Sequence, residues 1–167
     1  MNSDTYVMLV AGVAALGGLL FGYDTGVMSG ALLFVGPEFT MSAHEEGLVT
    51  SMLLVGAAVG ALAAGRVADR LGRRRTLIAG GLIFLGGSVW CALATSTAML
   101  AAARTVLGLA VGAVSIVSPM YISEITPAAV RGRMVSLNTL MIVVGQLLAY
   151  GVNSALAASG SWRWMLG

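Results

Sequence analysis

The chain has 167 residues, of which 58% are apolar and only 10% are charged, and its mean hydropathy is +0.93. A soluble domain would carry about 25% charged residues, so this composition excludes an ordinary soluble protein and predicts a multi-pass membrane protein with a single bundle. The nine Lys and Arg residues are all arginines, and most of them cluster between apolar runs. The slight positive charge therefore indicates membrane topology rather than nucleic-acid binding.

Five apolar runs are long enough to cross a bilayer, which requires ~20 residues. They predict membrane-spanning helices at about 6–35, 47–65, 76–95, 99–121 and 134–157. A sixth run begins at Trp162 and is cut off at Gly167, so we expect the sequence to be a fragment of a longer protein. The N-terminus lacks the basic region and the cleavage signal of a signal peptide, so we expect the first run to remain as a helix.

The distribution of arginine predicts the orientation of the helices. The first connection has acidic residues and a histidine but no arginine, and the short third connection, near 96–98, is uncharged. We expect the N-terminus and the arginine-rich connections on the cytoplasmic side of the cell membrane. Trp162 and Trp164 would then lie at the outer interface, where aromatic residues concentrate. The charged residues are Glu38, His44, Glu45 and Glu46 in the first connection, Arg66, Arg70, Arg73, Arg74 and Arg75 in the second, and Arg131 and Arg133 in the fourth.

The first run contains one carboxylic acid, Asp24, in its outer half. An ionisable group inside a membrane costs ~2.5–3.5 kcal/mol at the bilayer centre and marks a functional site by default. Four glycines, Gly18, Gly22, Gly26 and Gly30, form a ridge at four-residue spacing. Small residues at this spacing predict close packing against another helix. Asp24 lies on the opposite side of the helix, so we expect it to face a central cavity.

Arg104 is the only arginine well inside a predicted span, and it is the expected partner of Asp24. The two spans run in opposite directions, and this brings the residues to depths within reach of an arginine side chain. Arg104, Gly108 and Gly112 share one helix stripe, which predicts a closely packed neighbour. Burial favours the neutral acid once such a pair opens, so a proton can then bind. The pair is either this proton-coupling switch or a permanent ion pair that only fixes the bundle.

The fifth run carries a polar stripe of Gln146, Tyr150 and Asn153 at i, i+4 and i+7. Gln146 lies near the expected midplane, where transporter sites occur. Amides and hydroxyls both donate and accept hydrogen bonds, which suits a neutral polyhydroxyl ligand. We interpret the three residues as candidate substrate contacts. The alternative is hydrogen bonding between helices, worth ~0.6 kcal/mol on average.

Two charged stretches, Gly65–Arg75 and Pro119–Met134, lie on the expected cytoplasmic side. In the first, Asp69 is a candidate cap for a helix N-terminus, where the helix dipole favours negative charge. In the second, Glu124 and Arg131 are candidates to exchange ion-pair partners. The alternatives are arginines that only anchor the topology and loop charges that are simply solvated.

Motifs of enzymes and metal sites are absent from the sequence. There is no Walker loop, no zinc-binding helix motif and no nucleophile elbow. The single cysteine, Cys91, excludes an intrachain disulfide, and no spacing fits a metal. We therefore expect no enzyme, no cofactor and no metal.

The order of these motifs resembles the N-terminal half of sugar porters of the major facilitator superfamily. The resemblance covers almost the whole chain, and the joint order of the motifs is more specific than any one of them. The matching stretches are GGLLFGYDTGVMSGA (Gly17–Ala31), GRVADRLGRR (65–74), RTVLGLAVG (Arg104–Gly112), PMYISEITPAAVRG (Pro119–Gly132), Gln146 and WRWM (162–165).

The resemblance implies an all-α integral membrane fold of twelve spans in two halves, with a sugar bound between the halves. It implies that Asp24 and Arg104 couple sugar movement to protons and that Gln146 contacts the sugar. Facilitative members tend to be uncharged at the Asp24 position, so the aspartate favours symport over uniport. The resemblance also implies a cytoplasmic charge network that locks the outward-facing state. The members of the predicted network are Gly65, Asp69, Arg70, Gly72, Arg73, Arg74, Glu124 and Arg131.

The expected partners are a sugar, protons, the lipid bilayer and a second half that supplies most sugar ligands. Without that half, we expect the inner face to be exposed, with Asp24 and Arg104 unshielded. Two alternatives stay open on the same fold: a facilitative sugar uniporter and a transporter of other solutes. A third alternative, of another class, is a non-transporting membrane fragment or scaffold.

Overall fold

The computed structural model describes residues 3–157 and 162–166, with side chains from residue 16 onward. Within these ranges the chain is all-α, as predicted, with five long helices and the start of a sixth. The five long helices are each apolar and long enough to cross a membrane. The helices are α1 (Ser3–Glu38), α2 (Ala43–Leu71), α3 (Arg73–Ala92), α4 (Thr97–Ile125), α5 (Ala128–Ala157) and α6 (Trp162–Leu166).

The helices cover the predicted spans, except that α3 ends at Ala92, before the predicted bound at 95. Most helices extend beyond the apolar runs, because polar residues at their ends continue the helical turns. The start of α2 is fixed by a capping box, in which the Ser42 hydroxyl and the Glu45 carboxylate each accept from the other residue's backbone N–H. Residues that we expected in connections therefore lie on helices. They are Glu38 on α1, His44, Glu45, Glu46, Arg66 and Arg70 on α2, Arg73, Arg74 and Arg75 on α3, and Arg131 and Arg133 on α5.

Gly72 alone connects α2 to α3. Its φ is 87°, a conformation that glycine adopts without the steric cost of a Cβ atom. No side chain caps the N-terminus of α3. The expectation that Asp69 is such a cap was wrong, because α2 continues to Leu71 and places Asp69 in its own last turn.

The glycine ridge of α1 packs against α5. At each of the four glycines a Cβ atom would lie too close to an atom of α5, so the two backbones approach closely only because the side chains are absent. The facing pairs are Gly18 with Asn138, Gly22 with Ile142, Gly26 with Ala149 and Gly30 with Asn153. The pairs follow the same order along both helices, so α1 and α5 are parallel.

A second glycine-lined contact joins α2 to α4. Gly56 faces Gly108, and Gly112 faces Ala57, again with room for backbone but not for larger side chains. The glycines that follow Arg104 therefore pack against α2, which supplies the close neighbour predicted for that stripe. The helix α4 also contacts α1, α3 and α5, and is the centre of the bundle.

The short helix α6 packs against α1 and α3. Its Trp162 is only 2% exposed and meets the ring of Phe39 edge-on, with ring centroids 5.8 Å apart. Trp164 is 79% exposed. We expected both tryptophans at the outer membrane interface. The structure adds that α6 turns the Trp162 side chain into the core together with Met165 and Leu166, so that within this bundle only Trp164 of the two is exposed.

Candidate functional site

A buried ion pair joins α1 to α4. The Nη1 atom of Arg104 donates to Oδ1 of Asp24 across 2.7 Å. Arg104 is 1% exposed and Asp24 is 4% exposed. The structure therefore brings together the two residues that the sequence predicts to be partners.

The position of the pair follows from the glycine contacts. The ridge of α1 faces α5, and Asp24 lies two residues from both Gly22 and Gly26, so its side chain extends away from α5 and reaches α4. Arg104 extends towards α1 from a helix whose Gly108 is held against α2. Buried apolar side chains near the pair in sequence, on the same two helices, belong to the core of the bundle. These are Val27, Met28 and Ala31 on α1 and Ala103 and Leu107 on α4.

Two expectations about the pair are wrong for this structure. Asp24 does not face a central cavity, and neither Asp24 nor Arg104 is unshielded, because both are buried within the bundle of this chain. The reason is that the long guanidinium side chain fills the space between α1 and α4. In this structure the carboxylate is therefore shielded from solvent.

A pair of this kind responds strongly to a change of charge. Removing one partner leaves the other charge buried without compensation, at a cost of about 3–5 kcal/mol. A proton on Asp24 would likewise leave Arg104 without its counter-charge at the contact between α1 and α4.

The three polar residues of α5 lie in different environments. Tyr150 is 55% exposed and Gln146 is partly buried, and neither side chain has a hydrogen bond within the described part of the chain. Asn153 instead turns towards α1, where its Nδ2 atom donates to the carbonyl oxygen of Gly26 at 3.2 Å. Gln146 and Tyr150 therefore keep their polar groups available for a ligand, whereas Asn153 makes the interhelical bond that was the alternative interpretation.

On the expected cytoplasmic side, Arg73 connects three helices. Its Nη1 atom binds Oδ1 of Asp69 at 2.7 Å and the carbonyl oxygen of Ala68 at 3.0 Å. Its Nε atom binds Oε1 of Glu124 at 3.1 Å. Asp69, Arg73 and Glu124, members of the predicted network, therefore meet at the ends of α2, α3 and α4.

Other members of the predicted network do not join this cluster. Glu124 binds Arg73 and forms no ion pair with Arg131 in this structure, because α5 begins at Ala128 and carries Arg131 on its exposed surface. A side chain at Gly65 would meet no atom within 4 Å. The exposed network arginines that form no ion pair in the described ranges are Arg70, Arg74 and Arg131.

A charged cluster between α1 and α6 was not predicted from the sequence. Glu38 binds Arg163 through Oε1 at 2.8 Å, and its other oxygen accepts from the indole N–H of Trp162. The guanidinium of Arg163 also lies 4.2 Å from the centre of the Trp162 ring, in a cation–π contact. The sequence places Glu38 and Arg163 on the same predicted side of the membrane. A shared depth does not by itself identify which of several charged residues form a pair.

A buried polar contact between α4 and α5 was also missed. Ser118 is 1% exposed and Asn138 is 8% exposed, and the Ser118 hydroxyl lies 3.5 Å from Oδ1 of Asn138. Buried polar groups in a membrane normally bind one another in this way. In the sequence, this contact is indicated only by the presence of Asn138 within an apolar run.

Comparisons with known proteins show which family the chain resembles. The family model described as "Sugar (and other) transporter" matches residues 10–167. The chain is 46% identical to the galactose-proton symporter of Escherichia coli K12 over 99% of this chain and 36% of that protein. It is also 46% identical to the probable metabolite transport protein CsbC of Bacillus subtilis, over 100% of this chain and 36% of that protein.

A solved structure is similar over nearly the whole chain. It is that of the proton:xylose symporter XylE, a xylose transporter of E. coli, bound to 6-bromo-6-deoxy-D-glucose. The TM-score is 0.88 at 34% identity, and the match covers 99% of this chain and 42% of XylE. The chain spans about a third of the length of its curated relatives, as expected for an N-terminal portion. By its sequence and its fold, the chain belongs to the sugar transporter family of the major facilitator superfamily.

Proposed function

We propose that this chain forms the N-terminal half of a proton-coupled sugar transporter, a symporter that works by alternating access. The observation that carries the proposal is the buried pair of Asp24 and Arg104. A symporter needs a site where one proton changes a contact between helices, and a facilitator has no need of it. The relatives named as galactose-, arabinose- and xylose-proton symporters support this choice.

In the proposed cycle, Asp24 accepts the proton and Arg104 is its counter-charge. The ionised carboxylate holds α1 against α4, and the protonated carboxyl group no longer does. A loss of about 3–5 kcal/mol at one contact is enough to change the ratio of two conformations by more than about a hundredfold. Proton binding therefore favours the arrangement that exposes the site to the other side of the membrane.

The proposed sugar contacts of this half are Gln146 and Tyr150. The amide and the phenol both donate and accept hydrogen bonds, as sugar hydroxyls do. The exposed ring of Tyr150 adds an apolar surface for the carbon face of a sugar. The remaining contacts come, in this proposal, from a second half of the transporter that pairs with this one.

We place the bundle in the cytoplasmic membrane with its N-terminus inside, because the arginines then lie on the cytoplasmic side. Arg73 and its partners Asp69 and Glu124 lie at that side in this orientation. We propose that this cluster, with the neighbouring network residues, stabilises the outward-facing state. Its exposed ion pairs contribute little to the stability of the fold, which suits contacts that must break in each cycle.

Proteoliposomes containing the complete gene product test the proposal. Radiolabelled galactose, arabinose, xylose and glucose are offered separately with an inward proton gradient, and a trapped dye reports the internal pH. We expect one or more sugars to accumulate with acidification of the lumen, and a protonophore to abolish the accumulation. Equal entry with and without the gradient would identify a facilitator. Entry no faster than into empty liposomes would identify a protein that does not transport these sugars.

A further inference from the structure

The amide of Asn153 lies in the glycine ridge of α1. Its Nδ2 atom donates to the Gly26 carbonyl oxygen at 3.2 Å, and the amide covers Gly30, where any Cβ atom would overlap it. A carbonyl oxygen only accepts hydrogen bonds, so the amide nitrogen is the atom that faces it. Within the described ranges, this side-chain hydrogen bond joins α5 to α1.

The bonded carbonyl belongs to the turn of α1 that carries Asp24. In this turn the hydroxyls of Thr25 and Ser29 donate to main-chain carbonyls at 2.8–3.0 Å. The glycines of the ridge lower the helix propensity of this segment, because each lacks the side chain that would restrict its backbone. The turn is thus a deformable segment that is held from α4 through Asp24 and from α5 through Gly26.

We propose that Asn153 is a positioning residue that couples the sugar-binding face of α5 to the proton site on α1. It lies two helical turns after Gln146 on the helix that carries the proposed sugar contacts. A displacement of α5 by bound sugar therefore moves the amide relative to Gly26, and the turn shifts Asp24 relative to Arg104. The inference rests on the proposed symport, and it gives Asn153 a role in coupling rather than in holding the sugar.

Transport by two variants tests this role. Asn153→Ala is expected to lower gradient-driven accumulation about three- to twentyfold relative to sugar exchange, which is the range for one interhelical hydrogen bond. The KM for exchange should change less than about twofold, because the sugar contacts stay. Ser29→Ala is the matched control, since Ser29 donates to the same carbonyl from within α1. A large rise in KM with an unchanged ratio, or the same loss in Ser29→Ala, would overturn the proposal.

The reactivity of Cys91 separates this inference from the proposed function. Cys91 is the single cysteine of this 167-residue chain, is fully buried and lies within the electrostatic influence of both Asp24 and Arg104, and its labelling is followed in the peptide that contains it. Its labelling by N-ethylmaleimide should be at least about threefold faster in Asn153→Ala than in wild type, and unchanged in Ser29→Ala. If this difference is found in a protein that accumulates no sugar, the symport fails and the positioning role stands. Equal labelling rates in all three proteins would refute the positioning role.

Discussion

Asp24 and Arg104 lie 80 residues apart in the chain, yet their side chains meet at 2.7 Å in the interior of the bundle. Each charge is expensive to bury alone, and each is tolerated because the other is present. The loss of one partner should consequently be far more harmful than the loss of both. This asymmetry distinguishes a buried pair from two independent polar residues.

The first prediction concerns this asymmetry. Asp24→Leu should lower the free energy of unfolding by about 3–5 kcal/mol, because Arg104 is left uncompensated, and the double variant Asp24→Leu/Arg104→Met should recover most of the loss. The measurement is denaturant unfolding of the purified chain in detergent, followed by circular dichroism. Asp69→Leu, which removes an exposed pair, should change stability by less than about 1 kcal/mol. Additive losses in the double variant would contradict the prediction.

Asp24→Asn tests the proton site without changing the size of the side chain. The amide still accepts a hydrogen bond from Arg104 but does not gain or lose a proton near neutral pH. Sugar accumulation driven by the proton gradient should therefore fall to the level measured without a proton gradient. Exchange of labelled for unlabelled sugar should continue. Asp24→Glu, which keeps the titratable group, is the control. If Asp24→Asn loses accumulation and exchange equally, the pair is a permanent structural element.

Close packing between α1 and α5 predicts different outcomes for two glycines. A Cβ atom at Gly22 would overlap the backbone of Ile142, whereas one at Gly86 on α3 would meet no atom within 4 Å. Gly22→Ala should destabilise the bundle by about 1–3 kcal/mol through overpacking. Gly86→Ala should leave stability unchanged or raise it by up to about 1 kcal/mol, since alanine favours the helix. Thermal unfolding of both variants measures the difference, and similar shifts in the two would count against this packing.

The two tryptophans of α6 give a further pair of variants. Trp162→Ala should cost about 3–5 kcal/mol, because it empties a core position and removes the contacts to Phe39 and Glu38. Trp164→Ala should change stability by less than about 0.5 kcal/mol, as expected at an exposed site. Unfolding curves in detergent provide the measurement. A large effect of Trp164→Ala would show that its surface is covered in solution.

Hydropathy and residue spacing were sufficient to predict the helices, the ridge and the pairing of Asp24 with Arg104. These features depend on the period of the helix and on the scarcity of charge in apolar runs. The burial of Trp162, the enclosure of the ion pair and the contact of Asn153 with Gly26 were not predictable in this way. They depend on which neighbour a given helix face meets and on the side-chain rotamer, and a single sequence does not fix either.

The distance in sequence between Asp24 and Arg104 also has a consequence for biosynthesis. A ribosome adds about 5–20 residues per second, so the 80 residues that separate the two require roughly 4–16 s. The first helix therefore leaves the ribosome with its carboxyl group before the matching arginine has been made. The buried ion pair can form only after the fourth helix has been made, and the order of translation thus becomes part of how this bundle assembles.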